Sequence, residues 1–171
     1  MPPPAPAAAP APKPIAIAAT SPPTADFTRP EEVAALRHAL NVTKHRDTVV
    51  LATLGLARVY VHTAAFLAVG GSVVTGVLAE DGAGRALPIS TIRIPVEADS
   101  LFKLAVTLGT PWCGRPPATQ SNTEIAAVLM ATPATEFGIF PLALGGRVIA
   151  LLAVHAATTT LSPAIRDALE G

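Results

Sequence analysis

Cysteine and charged residues are both scarce in this chain of 171 residues. Cys113 is the single cysteine, which excludes an intrachain disulfide and a metal site built from several thiolates. Only 14% of the residues are charged, and the 12 basic and 12 acidic side chains cancel. Because the protein carries no net charge to attract polyanions, we expect no nucleic-acid partner.

Targeting and membrane signals are weak as well. Met1 is not followed by a basic region, an apolar block and a cleavage site, so no secretory signal is predicted. Residues 59–79 carry no formal charge and are long enough to span a bilayer, but Gly70 and Gly71 interrupt them and no Lys/Arg clusters flank them. We therefore expect a cytoplasmic protein without membrane insertion, with a membrane-associated protein as the remaining alternative.

The chain also lacks residue patterns that point to catalysis. The histidines show neither the spacing of a zinc site nor a neighbouring carboxylate pattern that would suggest a catalytic triad. They are His38, His45, His62 and His155. We therefore expect no enzyme activity, no metal and no cofactor, and we interpret Cys113 as a packing residue rather than a reactive thiol.

Proline is concentrated at the beginning of the chain. Residues 1–28 are rich in Pro and Ala and contain the run PPPAPAAAPAPKP over residues 2–14, a composition typical of extended segments without a packed core. We interpret residues 1–28 as a disordered tether and residues 29–171 as one domain. A docking peptide for a polyproline-binding domain is the alternative, because PxxP spacing is present.

Helical signals open the predicted domain. Thr28 and Glu31 have capping-box spacing, which predicts a helix from about residue 30 to residue 41, and a second helix is predicted from Asp47 to Arg58. The apolar positions of the two helices recur at helical spacing. They are Val33, Leu36 and Leu40 in the first helix, and Val50, Leu51, Leu54 and Ala57 in the second.

Two Gly-Gly pairs mark predicted hairpins. From residue 59 the apolar period becomes two, and the chain reverses at Gly70 and Gly71 into a strand over residues 72–78. A second hairpin joins residues 136–144 to residues 147–155 through Gly145 and Gly146. The sequence therefore favours an antiparallel sheet.

The middle of the chain alternates short elements. A strand over 90–96 is followed by a helix over 100–108, with Asp99 as its possible cap and Gly109 as its end. We place Leu101, Leu104, Ala105 and Leu108 on the inner side of that helix. A strand over 110–114, a helix over 119–131 with a capping box at Ser121 and Glu124, and a last helix starting at Ser162 and Pro163 complete the prediction. The fold class is α+β, with an antiparallel sheet of five to six strands covered by helices.

This order of elements resembles the GAF fold, within the wider GAF/PAS-like architecture. GAF domains often carry a strand that ends in an apolar-Pro pair, then a short helix, a Gly and a Pro before the next strand. Ile94, Pro95, Gly109 and Pro111 fit that pattern, and residues 137–154 are similar to the closing hairpin of the family. The resemblance implies a sensing or regulatory domain and carries no activity by itself.

Specialised members of the family have motifs that this sequence does not match. The Asn-Lys-Phe-Asp-Glu motif of cyclic-nucleotide-binding members is absent, the context of Cys113 differs from that of a pigment-attachment cysteine, and reduction of free methionine sulfoxide needs more than one cysteine. The resemblance implies a divergent, non-catalytic bacterial member. We expect regulation through protein-protein interaction or dimerisation, with a small-molecule sensor as the alternative.

The resemblance also indicates candidate ligand-binding residues. Trp112 and Arg115 lie where a GAF domain lines its pocket, and a Trp beside a guanidinium suits a planar anionic ligand. Phe137 and Arg93 complete the candidate set. Two alternatives stay open, because Trp112 also fits the edge of a core and the alternation around Arg93 favours an outward side chain.

The apolar surplus predicts a partner surface. The strands, especially residues 148–154, are apolar on both faces, so helices or a partner should cover each side of the sheet. In the family, the first and last helices commonly do so and also pair between subunits. We therefore expect a homodimer or a protein partner to bind a surface made of the apolar positions of these helices. They are Val33, Leu36, Leu40, Ile165 and Leu169.

Overall fold

The computed structural model describes residues 30–42, 45–129 and 136–156, together with Leu161, Pro163, Asp167 and Leu169. The predicted tether, the capping residue Thr28 and the start of the last helix at Ser162 lie outside the described residues. In chain order the elements are α1 (Pro30–Val42), α2 (Arg46–Arg58), β1 (Thr63–Gly70), β2 (Val73–Asp81), β3 (Arg93–Pro95), α3 (Leu101–Leu108), β4 (Trp112–Gly114), α4 (Gln120–Val128), β5 (Glu136–Leu144) and β6 (Arg147–Ala156).

The described strands form one six-stranded antiparallel sheet in the order β3-β2-β1-β6-β5-β4. The first and last long strands, β1 and β6, are neighbours at its centre, and the short strands β3 and β4 are its two edges. Helices pack on the sheet, so the predicted α+β class is confirmed.

Both predicted Gly-Gly reversals are tight turns. In the second hairpin Leu144 pairs with Arg147, and the two residues between them, Gly145 and Gly146, have φ angles of 60° and 77°. In the first hairpin Gly71 has a φ of 60°. Backbone with positive φ is costly for residues with a Cβ, so glycine permits these two-residue connections.

The sheet has two covered faces. Alternate residues of the strands contribute to two separate hydrophobic clusters. The α3/α4 face, which includes Ala65, Leu67, Ile139 and Leu151, is covered by α3, α4 and the connection that follows β2. The α2 face, which includes Phe66, is covered by α2 and by Leu161. The prediction that both sides of the sheet are covered is therefore confirmed for the described residues.

The connection after β2 passes very close to the sheet. The backbone N–H of Gly76 donates a hydrogen bond to the carbonyl of Ile92, with N and O 3.1 Å apart. A Cβ at Gly76 would lie 2.0 Å from the carbonyl oxygen of Ile89. Only a glycine lets the two backbones approach this closely.

The helix caps differ in detail from the predicted ones. α3 is capped by Ser100, whose hydroxyl accepts a hydrogen bond from the N–H of Lys103, rather than by Asp99. It ends as predicted at Gly109, which is left-handed with φ 63°. α4 is capped by Thr119, since Ser121 already lies inside the helix.

Three predicted boundaries or faces are also corrected. β1 begins at Thr63 rather than residue 59, because the N–H of Val59 still bonds to Leu56 and so extends the end of α2. The third strand is limited to Arg93–Pro95. Some side chains predicted to point inward are exposed, and Phe102 takes the inner position on α3 instead. The exposed ones are Leu104 and Leu108. On α2, Leu51, one of the apolar positions at helical spacing, is exposed as well.

Within the described part of the chain, no helix has both the length and the apolar character needed to cross a membrane.

Candidate functional site

Three buried side chains form a row across β1, β6 and β5 on the α3/α4 face. His155 of β6 pairs with Thr63 of β1 on one side and with Phe137 of β5 on the other. Directly paired residues project from the same face, so the three side chains lie side by side. The rings of Phe137 and His155 have centroids 5.5 Å apart. The row therefore combines an aromatic ring, an imidazole and a hydroxyl inside the protein.

Hydrogen bonds link this row to the end of α4. The hydroxyl of Thr63 donates to the carbonyl oxygen of Leu129 across 3.4 Å. The hydroxyl oxygen of Thr63 also lies 3.3 Å from Nδ1 of His155. The other ring nitrogen of His155, Nε2, is buried and has no hydrogen-bond partner among the described residues. His155 is only 1% exposed. The row therefore contains one interior polar atom whose bonding capacity is unused.

Burial keeps the imidazole of His155 neutral. Removal from water lowers the pKa of His155 from 6.5 to about 4, with a further contribution from the nearby ring of His62. The two ring centroids are 6.4 Å apart, and the backbone N–H of His62 donates to the carbonyl of His155. At neutral pH the row is therefore polar without being charged.

Trp112 and Phe137 occupy neighbouring strands on this face. Trp112 pairs with Ile139, and Phe137 pairs with Gly114. The indole of Trp112 extends over Gly114, because a Cβ at that glycine would lie 3.4 Å from Cζ2 of the ring. Trp112 is half-buried against the core, while Phe137 is fully buried. The structure thus brings the two predicted aromatic residues together.

The two predicted arginines do not converge in the same way. Arg115 follows β4 directly and is exposed. Arg93 is exposed on β3, between the buried residues Ile92 and Ile94, so its side chain has the outward orientation that the alternation favours. Since β3 and β4 are opposite edges of the sheet, Arg93 is not placed beside Trp112.

Asn122 fixes the helices that cover this face. Its Oδ1 accepts a hydrogen bond from the N–H of Leu101 across 3.1 Å, and its Nδ2 donates to the carbonyl of Pro117 across 3.0 Å. One buried amide therefore ties the beginning of α3 to α4 and to the loop before it.

Thr63, Asn122 and His155 were not among the predicted site residues. The only signal for His155 is the inward alternation of β6, which includes Leu151 and Ala153.

A second surface is formed by α1 and α2, which we call the helical layer. α1 packs on α2, and Cδ2 of Leu36 lies 3.1 Å from the position of a Cβ at Gly55. Val33, Leu36 and Leu40 are half-buried, and none of the described α1 side chains is fully buried. Leu169 packs against the core of the α2 face within its own chain, and Ile165 lies outside the described residues.

Charged pairs lie at the margin of the sheet. Arg58 at the end of α2 forms an ion pair with Glu80 of β2, and Asp81 pairs with Arg85 in the following loop. Hydrogen bonds to Asp81, first of all from the N–H of Arg85, lower the pKa of its carboxyl. Each acid is paired with a base, which is typical of structural ion pairs. Within the described residues no group of three or more metal-ligating side chains comes together.

Solved structures of GAF domains share this architecture. The GAF domain of an Acinetobacter phosphoenolpyruvate-protein phosphotransferase superposes with a TM-score of 0.59 at 11% identity, covering 81% of this chain and 84% of that one. The chain has a GAF-like fold. The phycoerythrobilin-bound GAF domain of a cyanobacterial phytochrome gives a TM-score of 0.59 at 11% identity, covering 82% and 88% of the two chains. The nlh2 GAF domain of A. aeolicus, in an inactive state, gives 0.55 at 12% identity, covering 82% and 83%.

The likeness is one of fold and does not extend to sequence. No family model matches the chain, and no curated protein matches it. The resemblance inferred from Ile94, Pro95, Gly109 and Pro111 is confirmed as a GAF-like architecture. Because identities of 10–14% do not transfer function, the role of this GAF-like domain has to be argued from its own surfaces.

Proposed function

We propose that this GAF-like domain is a non-enzymatic regulatory module that acts by protein-protein contact, with self-association through the helical layer as its output. The observation that carries the proposal is the incomplete burial of α1. This helix packs on α2, yet none of its described side chains is buried. An amphipathic helix held this way gains further stability when a partner covers it.

The apolar side chains of the helical layer are placed for such a contact. Leu51 is 54% exposed and lies one helical turn before Gly55, the residue against which Leu36 packs. Val42 at the end of α1 is 61% exposed. Burying apolar area of this kind contributes about 25 cal/mol per Å². In a twofold dimer both subunits contribute the same surface, so each of these residues is buried once in each subunit.

Light scattering on the full chain at micromolar concentration tests the proposal. We expect the mass of a dimer, and we expect Leu51→Glu to give the mass of a monomer, because a carboxylate at the contact would be desolvated without a partner. The matched control is Leu144→Glu at the tip of the second hairpin, which changes an equally apolar residue that is 71% exposed. This control should remain dimeric. A monomeric wild-type protein contradicts the proposal.

A second candidate function is a small-molecule sensor on the α3/α4 face. It is favoured by the half-buried Trp112, which lies over Gly114, the residue that pairs with the buried Phe137. Arg115 directly after β4 would pair with an anionic group of a ligand. We withdraw Arg93 from this candidate site, because it lies at the other edge of the sheet.

Trp112 itself reports on this second candidate, since it is the only tryptophan of the chain. Nucleotides and small metabolites are added, and both tryptophan fluorescence and the melting temperature are followed. A ligand that binds the folded state raises the melting temperature and changes the emission. Arg115→Ala should weaken an anionic ligand, while Arg93→Ala, the matched control at the opposite edge, should leave it unchanged. Equal effects of the two variants contradict the assignment of Arg115.

A further inference from the structure

The imidazole of His155 contains an interior polar atom that the described protein does not satisfy. Its Nε2 is buried without a hydrogen-bond partner among the described residues, although Nδ1 faces the hydroxyl of Thr63. Buried polar atoms are nearly always paired, because leaving one unpaired costs free energy comparable to a lost hydrogen bond. An unpaired nitrogen at this position therefore points to a partner beyond the described residues.

The hydrogen bonds of Thr63 determine what that partner must offer. The hydroxyl has one proton, which it donates to the carbonyl of Leu129. With that proton directed to Leu129, the oxygen of Thr63 can only accept from His155, and we assign the imidazole proton to Nδ1 on this basis. In a neutral imidazole the other nitrogen is then a bare acceptor. Nε2 therefore requires a hydrogen-bond donor.

We propose that Nε2 of His155 is the hydrogen-bond acceptor of an interior ligand site on the α3/α4 face, and that the part of the ligand inside this site is uncharged and mostly apolar, with one hydroxyl or N–H group. An anionic group of the same ligand would lie outside the interior site, beside the exposed Arg115. The inference rests on the second candidate function, and it deepens that function by naming an anchoring atom and a class of ligand. It is independent of self-association through the helical layer.

The surroundings of His155 favour an uncharged, apolar ligand. The ring centroid of Phe137 lies 5.5 Å from that of His155, and Ala153, Leu151 and Ile139 are buried on the same face. An ion in such surroundings would have to be paired to offset its desolvation. The ring of His155 is itself uncharged at neutral pH, since its pKa is about 4. A few placed polar groups among apolar side chains are the usual basis of specificity for small ligands.

Matched probe compounds test the class of ligand on the full chain. Phenol and indole each carry one donor on an apolar ring, whereas toluene and indene have nearly the same shape without the donor. With ¹⁵N-labelled histidine, we expect phenol or indole to shift the Nε2 resonance of His155 toward that of a hydrogen-bonded nitrogen, while toluene and indene leave it in place. The compound with the donor should bind roughly tenfold more tightly than its apolar counterpart.

The variant His155→Leu supplies the matched control. It replaces the imidazole, and with it the acceptor nitrogen, by an apolar side chain of similar size. Phenol and toluene should then bind with equal affinity. The same variant identifies the His155 resonance by its disappearance. If this variant does not fold, the spectra of the wild-type protein still decide the question, because they report on Nε2 directly.

The remaining outcomes contradict the inference in separable ways. If the emission of Trp112 responds to the probes but Nε2 does not, a ligand site exists and His155 is not its anchor. If Nε2 is hydrogen-bonded in the free protein and no probe changes it, a water or an undescribed residue already satisfies it, and His155 does not anchor a ligand. If neither Trp112 nor Nε2 responds to any of the four probes and the metabolite panel is also silent, the inference and the second candidate function both fail.

Discussion

The two faces of the sheet are built from the same strands but have different interiors. The α3/α4 face encloses polar side chains that are hydrogen-bonded into the structure, namely Thr63, Asn122 and His155. The described core cluster of the α2 face consists of apolar residues, and its charged pair, Arg58 and Glu80, lies at the margin. Polar groups give specificity and apolar groups give contact area. The first face therefore has the mixed interior that the proposed small-molecule site requires, and the second supports the helical layer through which we propose self-association.

The two faces also differ in how closely the surrounding groups approach the glycines of the strands. On the α3/α4 face, backbone meets backbone at Gly76, where a Cβ would lie 2.0 Å from the oxygen of Ile89. On the α2 face, a Cβ at Gly138 would meet side-chain atoms instead, at 2.7 Å from Phe140 and 3.0 Å from Leu161. Side chains can shift whereas a paired backbone cannot, so the first face should tolerate less change.

Gly76→Ala should have the largest effect. The new methyl group would overlap the carbonyl of Ile89 and separate the connection after β2 from the sheet. We expect a loss of at least about 3 kcal/mol in the free energy of unfolding, measured by urea denaturation. Gly70→Ala is the control, since a Cβ at Gly70 meets nothing within 4 Å, and it should change stability by less than about 0.5 kcal/mol. Similar losses in the two variants would remove the distinction between these sites.

Asn122→Ala should have the next largest effect. It leaves the N–H of Leu101 and the carbonyl of Pro117 without their partner in the interior, which we expect to cost about 2 to 3 kcal/mol. Thermal denaturation followed by circular dichroism measures the loss. Thr123→Ala, one residue further along α4, changes an exposed side chain and should cost far less. A small loss for Asn122→Ala would mean that the polar groups of this face do not hold its helices in place.

Gly138→Ala tests the α2 face in the same way as Gly76→Ala tests the other. The contacts are with the ends of side chains of Phe140, Leu161 and Val154, which can adjust at the expense of packing. We expect a loss of about 1 to 2 kcal/mol in urea denaturation, smaller than that of Gly76→Ala. The reverse order of the two losses would show that the α2 face is the more rigid one.

The local features of the fold were predictable from the sequence. Gly145 and Gly146 mark their turn directly, because few other residues adopt positive φ at low cost, and the strand before them was predicted over the observed residues Glu136–Leu144. Caps were harder to predict, since Asp99 and Ser100 both carry a capping side chain and only the path of the chain selects Ser100.

The site depended on contacts between residues that are far apart in sequence. Arg93 was a candidate because a side chain of the third strand could point into the same pocket as Trp112, but the strand order places the two residues at opposite edges of the sheet, with β6 inserted between β1 and β5. The same insertion brings Thr63, His155 and Phe137 together from three strands. A pattern within a single segment contains no information about this pairing, so the sequence could not have predicted the row.

Mild acid should lower the free energy of unfolding through His155 on the α3/α4 face, and this is the smallest effect that we predict. The folded protein holds the pKa of His155 at about 4, below its ordinary value of 6.5, so the unfolded chain binds more protons between these values and stability falls as the pH falls through that window. From about pH 7 to about pH 5.5 we expect a loss of roughly 1 kcal/mol in the free energy of unfolding, measured by urea denaturation at each pH. His155→Leu should remove this part of the pH dependence, while His38→Leu on the exposed side of α1 should retain it. If the pH dependence remains in His155→Leu, another group is responsible. The pH dependence of stability would then no longer distinguish the polar interior of the α3/α4 face from the apolar interior of the α2 face.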